Sequence, residues 1–276
     1  MLRTTGVPRR SGILRGSLNE MALRVAEWQE LGPGFFARRW SGIRGRERHR
    51  CTVRGLGEVT VRTASSDAAV FRQVFCERQY DLDLHSQGAW VARRYGELLD
   101  AGRTPIIVDL GANNGASALW FATCYAEATV VAVEPDPESA AICRENTAGR
   151  SVLVVEAAIG SEPGSVDLVD EGNGSWAVQT RRAVDGGVAV VTVPELVARC
   201  GEGAELFIVK VDIEGFESDL FAANLEWLDQ AAAVMIEPHD WLLPGSGTST
   251  DFQKAMAERG FDLLISGENL LYVRRV

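Results

Sequence analysis

The chain has 276 residues, 46% of them hydrophobic, and a formal net charge of -10. A chain of this size and composition can bury a large core and is not expected to be disordered. The acidic balance argues against a general nucleic-acid-binding protein.

The first 50 residues differ from the rest in charge. They contain eleven Arg and four Glu, which gives 11 - 4 = +7, so the remaining residues carry -10 - 7 = -17. Four apolar residues at helical spacing predict an amphipathic helix that packs on another surface: Leu18, Met21, Val25 and Trp28. This basic arm, residues 1–50, is compatible with contact to an anionic partner, a membrane surface or a second subunit of an oligomer. We favour the simpler interpretation, a solvated N-terminal extension.

Two features bear on the compartment. No stretch approaches the roughly 18 consecutive apolar residues that span a bilayer, and the N-terminal sequence lacks the apolar segment of a secretory signal. The five cysteines are dispersed without a C-x-x-C pair, which indicates reduced thiols rather than disulfides or a zinc site. We therefore expect a cytoplasmic protein without a transmembrane segment.

Residues 51–104 show a mixed pattern. The segment "CTVRGLGEVTVRT" alternates like a short hairpin. The segments "DAAVFRQVFCERQYDL" and "GAWVARRYGELLDAG" have helical periodicity, and Gly102 closes the second. We interpret residues 1–104 as an N-terminal extension and cap, followed by a second domain at 105–276.

From residue 105 onward, short apolar runs alternate with helical segments. The runs are "IIVDLG", "TVVAVE", "SVLVVEAAIG", "LFIVKVD" and "AAVMIE", and the helical segments are 115–127, 137–148 and 217–228. This alternation predicts an α/β fold with a doubly wound parallel sheet covered on both faces. Only "SGE" separates the last two runs, "FDLLI" and "NLLYVRRV", which predicts a hairpin and an antiparallel last strand.

The segment "VDLGANNG" ends the first of these strands with a glycine-containing turn. Gly111 and Gly115 allow a tight turn and a close approach of the backbone to a ligand. The segment is not the dinucleotide fingerprint, because Asn113 stands where that pattern has its middle glycine. Asp109 could accept a hydrogen bond from a ligand ammonium group or fix the N–H groups of the turn.

The second strand ends in Glu134, where an acid can accept hydrogen bonds from both ribose hydroxyls of a bound cofactor. Asp136 and Pro137 then read as the cap and first residue of a helix. Both NAD(P) and S-adenosylmethionine fit this pattern. A carboxylate at Asp109 is unfavourable beside a pyrophosphate but not beside an ammonium and a sulfonium, so the sequence favours S-adenosylmethionine.

The fourth strand is apolar except for Lys210, and it is followed by several acids. Asp212 should project over the carboxyl edge of the sheet, next to the reactive end of the cofactor. Glu217 lies at the start of the next helix, where an acid is favoured as a cap.

Five segments in this order resemble the FkbM-type S-adenosylmethionine-dependent methyltransferases: "IIVDLGANNGASALWFA", "VVAVEPDPESAAICREN", "VEAAIGSEPGSVDL", "FIVKVDIEGFESDLF" and "IEPHDWLLPG". The resemblance covers about residues 70–276. It implies a class I methyltransferase (Rossmann-like) fold, whose seven-stranded sheet has an antiparallel last strand. It also implies O-methylation of a hydroxyl on a sugar, glycolipid or polyketide-type natural product. Asn114 and Pro238 depart from the family pattern, which usually has aliphatic residues there.

The resemblance also assigns cofactor contacts. It implies that the first turn lines the methionine end of S-adenosylmethionine, through Asp109, Gly111, Ala112, Asn113 and Gly115. It places Glu134 at the ribose, Ala157 near the adenine and Asp212 near the sulfonium.

The polar break after the fifth strand suggests where the acceptor is activated. A hydroxyl must lose its proton as it is methylated, and histidine is the commonest base for that task. We expect His239 to be this general base, with Glu237 or Asp240 orienting its imidazole. Two alternatives are a turn histidine that bonds only backbone, and a divalent cation held by Asp212, Glu237 and Asp240. The sequence leads us to prefer a mechanism without metal.

Residues farther along could contact the acceptor. Trp176 lies in the segment 171–179, which we expect to form a lip, where it could stack on adenine or a sugar ring or act as a lid. Glu268 and Asn269 lie in the final hairpin turn and are candidates for bonding acceptor hydroxyls. The expected partner is a small-molecule or glycan acceptor. The alternatives are an NAD(P)-dependent oxidoreductase and a cofactor-binding protein without activity.

Overall fold

The computed structural model of the chain describes residues 21–38, 47–63, 65–170, 178–182 and 187–275, with the backbone alone for 168–170 and 178–182. The strands in these residues are β1 (Arg48–Val53), β2 (Gly57–Arg62), β3 (Thr104–Leu110), β4 (Thr129–Glu134), β5 (Val152–Glu156), β6 (Ala158–Ile159), β7 (Gly164–Asp170), β8 (Val178–Arg182), β9 (Val188–Val191), β10 (Ala204–Val211), β11 (Ala233–Ile236), β12 (Phe261–Ser266) and β13 (Asn269–Arg274). The α-helices are α1 (Gly32–Ala37), α2 (Asp67–Phe75), α3 (Gly88–Asp100), α4 (Ala116–Cys124), α5 (Pro137–Asn146), α6 (Val193–Arg199), α7 (Glu217–Leu220) and α8 (Thr250–Glu258).

A seven-stranded sheet forms the centre of the protein, in the order β12-β13-β11-β10-β3-β4-β5. The pairs β10–β11, β10–β3, β3–β4 and β4–β5 are parallel, whereas β13 runs antiparallel to both of its neighbours. This order confirms the predicted class I methyltransferase fold, including its antiparallel last strand. The strand order reverses between β3 and β10, and in such sheets ligands bind beyond the carboxyl ends of the strands at that point.

The two central strands are buried on both faces, which explains their unbroken apolar sequences. Alternate residues of β3 enter different cores. Ile107 packs with Phe207 on one face, and Ile106 packs with Val209 on the other. The carboxyl ends of β3 and β10 are therefore the edge of a layer that is packed on both faces.

Two predicted elements differ in detail. The third strand breaks at Ala157, which separates β5 from the short β6 of a second, four-stranded sheet. The helix predicted at 217–228 is instead α7 followed by a 3-10 turn, Leu225–Asp229. Asn224 precedes that turn with a left-handed φ of 57°, a conformation that interrupts a right-handed helix.

The N-terminal region packs against the main sheet. The predicted hairpin is confirmed as β1 and β2. It is tied to α5 by Asn146, whose side chain accepts from the Thr60 N–H at 2.7 Å and donates to the Thr60 carbonyl at 3.0 Å. Leu31 and Phe35 belong to the same buried cluster as Ile107. The division predicted between residues 104 and 105 stays a prediction.

Within this chain, the face of the first helix that was predicted to pack is exposed, and its packing on another surface stays a prediction. Met21, Val25 and Trp28 are exposed, and Leu18 lies outside the described residues. Instead Leu31 and Glu27 are buried, with the Glu27 carboxylate paired to arginines. A π-helical turn spans Glu27–Leu31 and changes which side chains face inward.

No helix among the described residues combines the length and the apolar character that are needed to cross a bilayer.

Candidate active site

A cavity opens at the carboxyl edge of the sheet, at the point where the strand order reverses. Its lining comes from the turns after β3, β4, β5 and β10: Gly111, Asn113, Val133, Glu134, Pro135, Asp136, Ser139, Ala157, Ala158, Ile159, Asp212, Ile213, Glu214 and Phe216. Gly111, Asn113, Glu134, Ala157 and Asp212 were predicted as site residues from the sequence.

The turn after β3 passes very close to β10. Gly111 has a φ of 75°, and a Cβ there would lie 1.8 Å from the Asp212 carbonyl oxygen, so only glycine fits. Its N–H and that of Ala112 both donate to the Val133 carbonyl, each at 3.0 Å. Gly115 has a φ of 84° and caps α4. Ala112 and Gly115 therefore stabilise the conformation of the turn, and neither lines the cavity.

Glu134 connects this turn to the next one. Its carboxylate accepts from the Asn113 N–H at 2.8 Å and from the Asp136 N–H at 2.9 Å. Burial raises the pKa of Glu134 to about 7. Asp136 has the predicted capping role, because it accepts from the Ser139 N–H at 2.8 Å.

These bonds decide which cofactor the cavity suits. The N–H groups of Gly111, Ala112 and Asn113 are already used by protein acceptors, so they are not available to a pyrophosphate. The Glu134 carboxylate lines the cavity at this end and has acceptor positions beyond its two bonds to N–H groups, which suits the hydroxyls of a ribose. Ala157, Ile159 and Phe216 provide apolar contact beside it. The residues present fit S-adenosylmethionine better than NAD(P).

Asn114 explains one departure from the family pattern. It is fully buried, its side chain donates to the Asp67 carbonyl at 3.2 Å, and it accepts from the Ala116 N–H at 3.1 Å. Asn113 is also linked to the N-terminal region, because Arg62 donates to its side chain at 3.1 Å. Arg62 and Asp67, from the N-terminal region, are thus bonded directly to the turn after β3.

Asp109 lies beneath the turn rather than in the cavity lining. It accepts from the Ser117 hydroxyl at 2.6 Å and is paired with Lys210 Nζ at 3.3 Å. Lys210 also lies 3.3 Å from Asp212 and donates to the Gly111 carbonyl at 2.8 Å. Burial alone would lower the pKa of Lys210, but Asp212 and Asp109 outweigh burial and raise it. Asp109 therefore holds Ser117 and Lys210 beneath the turn, and the turn N–H groups that it was expected to fix bond to other acceptors, Val133 and Glu134.

Lys210 was not predicted as a site residue. The signal for it was present, because a lysine inside a continuously apolar strand requires buried partners of opposite charge.

His239 lies at the end of β11, next to Asp212 and Glu214. Its side chain is 1% exposed, and Nδ1 lies 2.6 Å from Glu217 Oε1. A carboxylate can only accept, so Nδ1 carries a proton and Nε2 faces the other way. Nε2 is 3.6 Å from both Asp212 Oδ1 and Glu214 Oε2, and 3.9 Å from Glu237 Oε1.

The acids around His239 influence one another. Burial alone would lower the pKa of His239, but the hydrogen bond and charge of Glu217 and the charges of Asp212 and Glu214 raise it to about 9. Burial, with Asp212 as the second cause, raises the pKa of Glu214 to about 8 and that of Glu237 to about 7. The centre thus gathers more acidic groups than can be ionised together without a compensating positive charge.

The residue that orients the imidazole is Glu217, and not Glu237 or Asp240 as expected. Glu217 is fully buried at the start of α7, where the sequence suggested only a cap. Asp240 turns away and accepts from the Thr248 hydroxyl at 3.2 Å and the Ser249 N–H at 3.3 Å. Asp240 therefore stabilises the loop before α8.

The other predicted acceptor residues have mixed positions. Glu268 accepts from the Gln73 side chain at 3.2 Å, and Asn269 is buried and donates to Gln79 at 2.7 Å. Their contact with an acceptor stays a prediction, and Trp176 lies outside the described residues. Trp241, which the sequence analysis did not single out, is 60% exposed with its ring centroid 6.3 Å from that of His239.

Known proteins with similar sequences are methyltransferases. Residues 109–263, more than half of the chain, match the family described as Methyltransferase FkbM domain. The 2-O-methyltransferase NoeI of Sinorhizobium fredii is 29% identical over 156 residues, which cover 49% of this chain and 64% of NoeI. The hexuronic acid methyltransferase AglP of Haloferax volcanii is 29% identical over 147 residues, which cover 51% of this chain and 59% of AglP. The chain thus spans less than two thirds of either relative.

Among solved structures, the S-adenosylhomocysteine-bound methyltransferase PaMTH1 of Podospora anserina aligns over the full length of both chains. The sequence identity is 15% and the TM-score is 0.42.

Proposed function

Because the chain belongs to the FkbM methyltransferase family, we propose that it transfers the methyl group of S-adenosylmethionine to a hydroxyl of a sugar or a sugar-containing molecule. The membership confirms the resemblance carried by the five sequence segments and, with it, the expected cofactor. It speaks against the NAD(P)-dependent oxidoreductase. One observation carries the proposal. Glu134 and Asp212 line the same cavity, and Asp212 lies next to His239, so a single rim at the carboxyl edge of the sheet runs from the Glu134 carboxylate to the His239 centre.

The cofactor would lie along this rim. When bound, S-adenosylmethionine supplies a methyl group on a sulfonium, a good leaving group that mainly needs an aligned nucleophile. Glu134 would accept hydrogen bonds from the ribose hydroxyls, and Ala157 and Ile159 would contact the adenine. Asp212 lies 27% exposed at the other end, where its charge favours a cationic group.

The acceptor would bind on the side of His239. Glu217 fixes the imidazole so that Nε2 is directed toward Asp212 and Glu214, which line the cofactor cavity. The sequence suggested that His239 is the base that takes the acceptor proton. With a pKa of about 9, the imidazole already carries that proton at neutral pH. A hydroxyl can also be activated by a divalent cation that is bound to Nε2.

A sugar is the acceptor class that we favour. The two curated relatives are named as a 2-O-methyltransferase and a hexuronic acid methyltransferase. Trp241 supports the same class, since an indole face beside the reacting centre offers the flat apolar surface on which a sugar ring packs. Glycolipids and polyketide glycosides carry such rings and belong to the same proposal.

The proposal is tested by incubating the chain with deuterated-methyl S-adenosylmethionine and a panel of sugars and glycosides, followed by mass spectrometry. We expect a labelled methyl ether from the wild type. His239→Ala should lose it while binding S-adenosylhomocysteine with nearly unchanged affinity. Equal turnover by His239→Ala would contradict the assigned acceptor side. Tight cofactor binding without product from any hydroxylated acceptor would favour the protein without activity.

A further inference from the structure

We infer that Asp212, Glu214 and His239 form a binding site for a divalent cation, which takes two adjacent hydroxyls of the acceptor. The inference rests on the proposed function for its acceptor. The cation site itself rests only on residues of this chain.

The three side chains enclose a space of the right size. One ligand atom from each side chain lies within 4.8 Å of the others, and His239 Nε2 is 3.6 Å from Asp212 Oδ1 and from Glu214 Oε2. Around an octahedral cation with ligand bonds of about 2.1 Å, neighbouring ligand atoms are about 3 Å apart and opposite ones about 4 Å apart. The two separations of 3.6 Å from Nε2 need only small side-chain movements to reach such a geometry.

The orientation of His239 is an independent indication. Its side chain is almost completely buried, and the described residues give Nε2 no hydrogen-bond partner, because its nearest carboxylate oxygens are 3.6 Å away. Glu217 accepts from Nδ1 at 2.6 Å and so holds Nε2 toward the two acids. Metal-bound histidines commonly have their other nitrogen on a carboxylate in this way. A histidine that only packs in the core does not need such an arrangement.

The charges at the centre also match a cation. Asp212, Glu214 and Glu237 all lie within 4 Å of His239 Nε2. Lys210 lies beside the other oxygen of Asp212, so Oδ1 remains directed at the centre. Glu214 has a left-handed φ of 52°, so the turn accepts an unfavourable backbone conformation at the residue that supplies the second carboxylate. Asp212 and Glu214 are each 27% exposed, which gives an acceptor access.

The cation defines how the acceptor would react. Three protein ligands leave about three coordination positions open, and adjacent hydroxyls of a sugar ring can take two of them. Coordination makes a hydroxyl more acidic, as it does for bound water. The hydroxyl proton then leaves to solvent, the oxygen forms its bond to the methyl carbon, and the carbon–sulfur bond breaks to leave S-adenosylhomocysteine. In this arrangement His239 holds the cation and is not the base.

The test uses Mn²⁺ and Mg²⁺ titrated calorimetrically into the full chain after treatment with a chelator and desalting. We expect the wild type to bind Mn²⁺, and Asp212→Asn and Glu214→Gln to bind at least about tenfold more weakly. Asp240→Asn is the matched control and should bind as the wild type does, because Asp240 faces Thr248 and Ser249. Electron spin echo spectra of the Mn²⁺ complex should show coupling to an imidazole nitrogen that His239→Ala removes.

Wild-type protein that binds neither cation, or variants that bind as tightly as the wild type, would overturn the inference. S-adenosylhomocysteine binding, measured on the same samples, separates this result from a failure of the proposed function. Chelator-insensitive methyl transfer would refute the cation alone, and absent cofactor binding would refute the methyltransferase.

Discussion

Lys210→Met should destabilise the protein strongly, because it leaves a carboxylate uncompensated in the core. Methionine keeps the length and volume of the lysine stem but removes the charge that lies 3.3 Å from Asp109. Asp109 is fully buried and cannot reach water, whereas Asp212 is 27% exposed and can. Removing one partner of a buried pair costs about 3–5 kcal/mol. At about 2–4 °C per kcal/mol, the melting temperature should fall by about 6–20 °C.

The assay is urea unfolding followed by circular dichroism, supported by thermal melts. The double variant Asp109→Asn/Lys210→Met removes both charges, so it should recover a large part of the lost stability, and the cycle isolates the pair. A loss below about 1 kcal/mol for Lys210→Met would refute the reasoning, since surface ion pairs are worth that little. No recovery in the double variant would show that packing, rather than charge, was lost.

Two further predictions concern acids with different roles. Glu134→Gln should weaken S-adenosylhomocysteine binding about tenfold in calorimetry, because hydrogen bonds to a charged acceptor become neutral ones. In the wild type, binding should weaken as the pH falls below about 7, where Glu134 becomes protonated, and the variant should lack this dependence; a dependence that persists in the variant would assign it to another group. Asp240→Ala should cost about 1 kcal/mol of stability through loss of its bonds to Thr248 and Ser249, while kcat on the accepted sugar stays within about twofold of the wild type. A large fall in kcat would contradict this and show that Asp240 acts in the catalytic centre.

The sheet and its cofactor end could be predicted from the sequence because their signals are local. A buried parallel strand needs a continuous apolar run, and the turns at Gly111 and Glu134 directly follow such runs. Parallel strands place these turns on one edge, so Asp212 could be assigned to the same rim. The family resemblance added the strand number and agreed with the cofactor that the residues already favoured.

The pairing of Glu217 with His239 could not be predicted in this way. The two residues are 22 positions apart, and their contact depends on how α7 sits against the end of β11. Asp240 looked better placed because it is adjacent in sequence, but the backbone turns its side chain toward Thr248. Sequence neighbours after a strand need not face the same direction, since the chain is no longer extended there.

The face of the first helix that packs within the chain could not be predicted, for a related reason. Apolar residues at helical spacing indicate a face, but they do not tell which face meets the core. Here Met21, Val25 and Trp28 are exposed, whereas Leu31, the last residue of the π-helical turn Glu27–Leu31, is buried.

The central claim is that the rim from Glu134 to His239 binds S-adenosylmethionine for methyl transfer. Calorimetric titration of the purified chain with S-adenosylhomocysteine, in parallel with NAD and NADP, tests it most directly. We predict saturable binding of S-adenosylhomocysteine and no binding of either nucleotide, since the N–H groups of Gly111, Ala112 and Asn113 are occupied within the protein. Binding of NAD or NADP, or a folded chain that does not bind S-adenosylhomocysteine, would contradict the account.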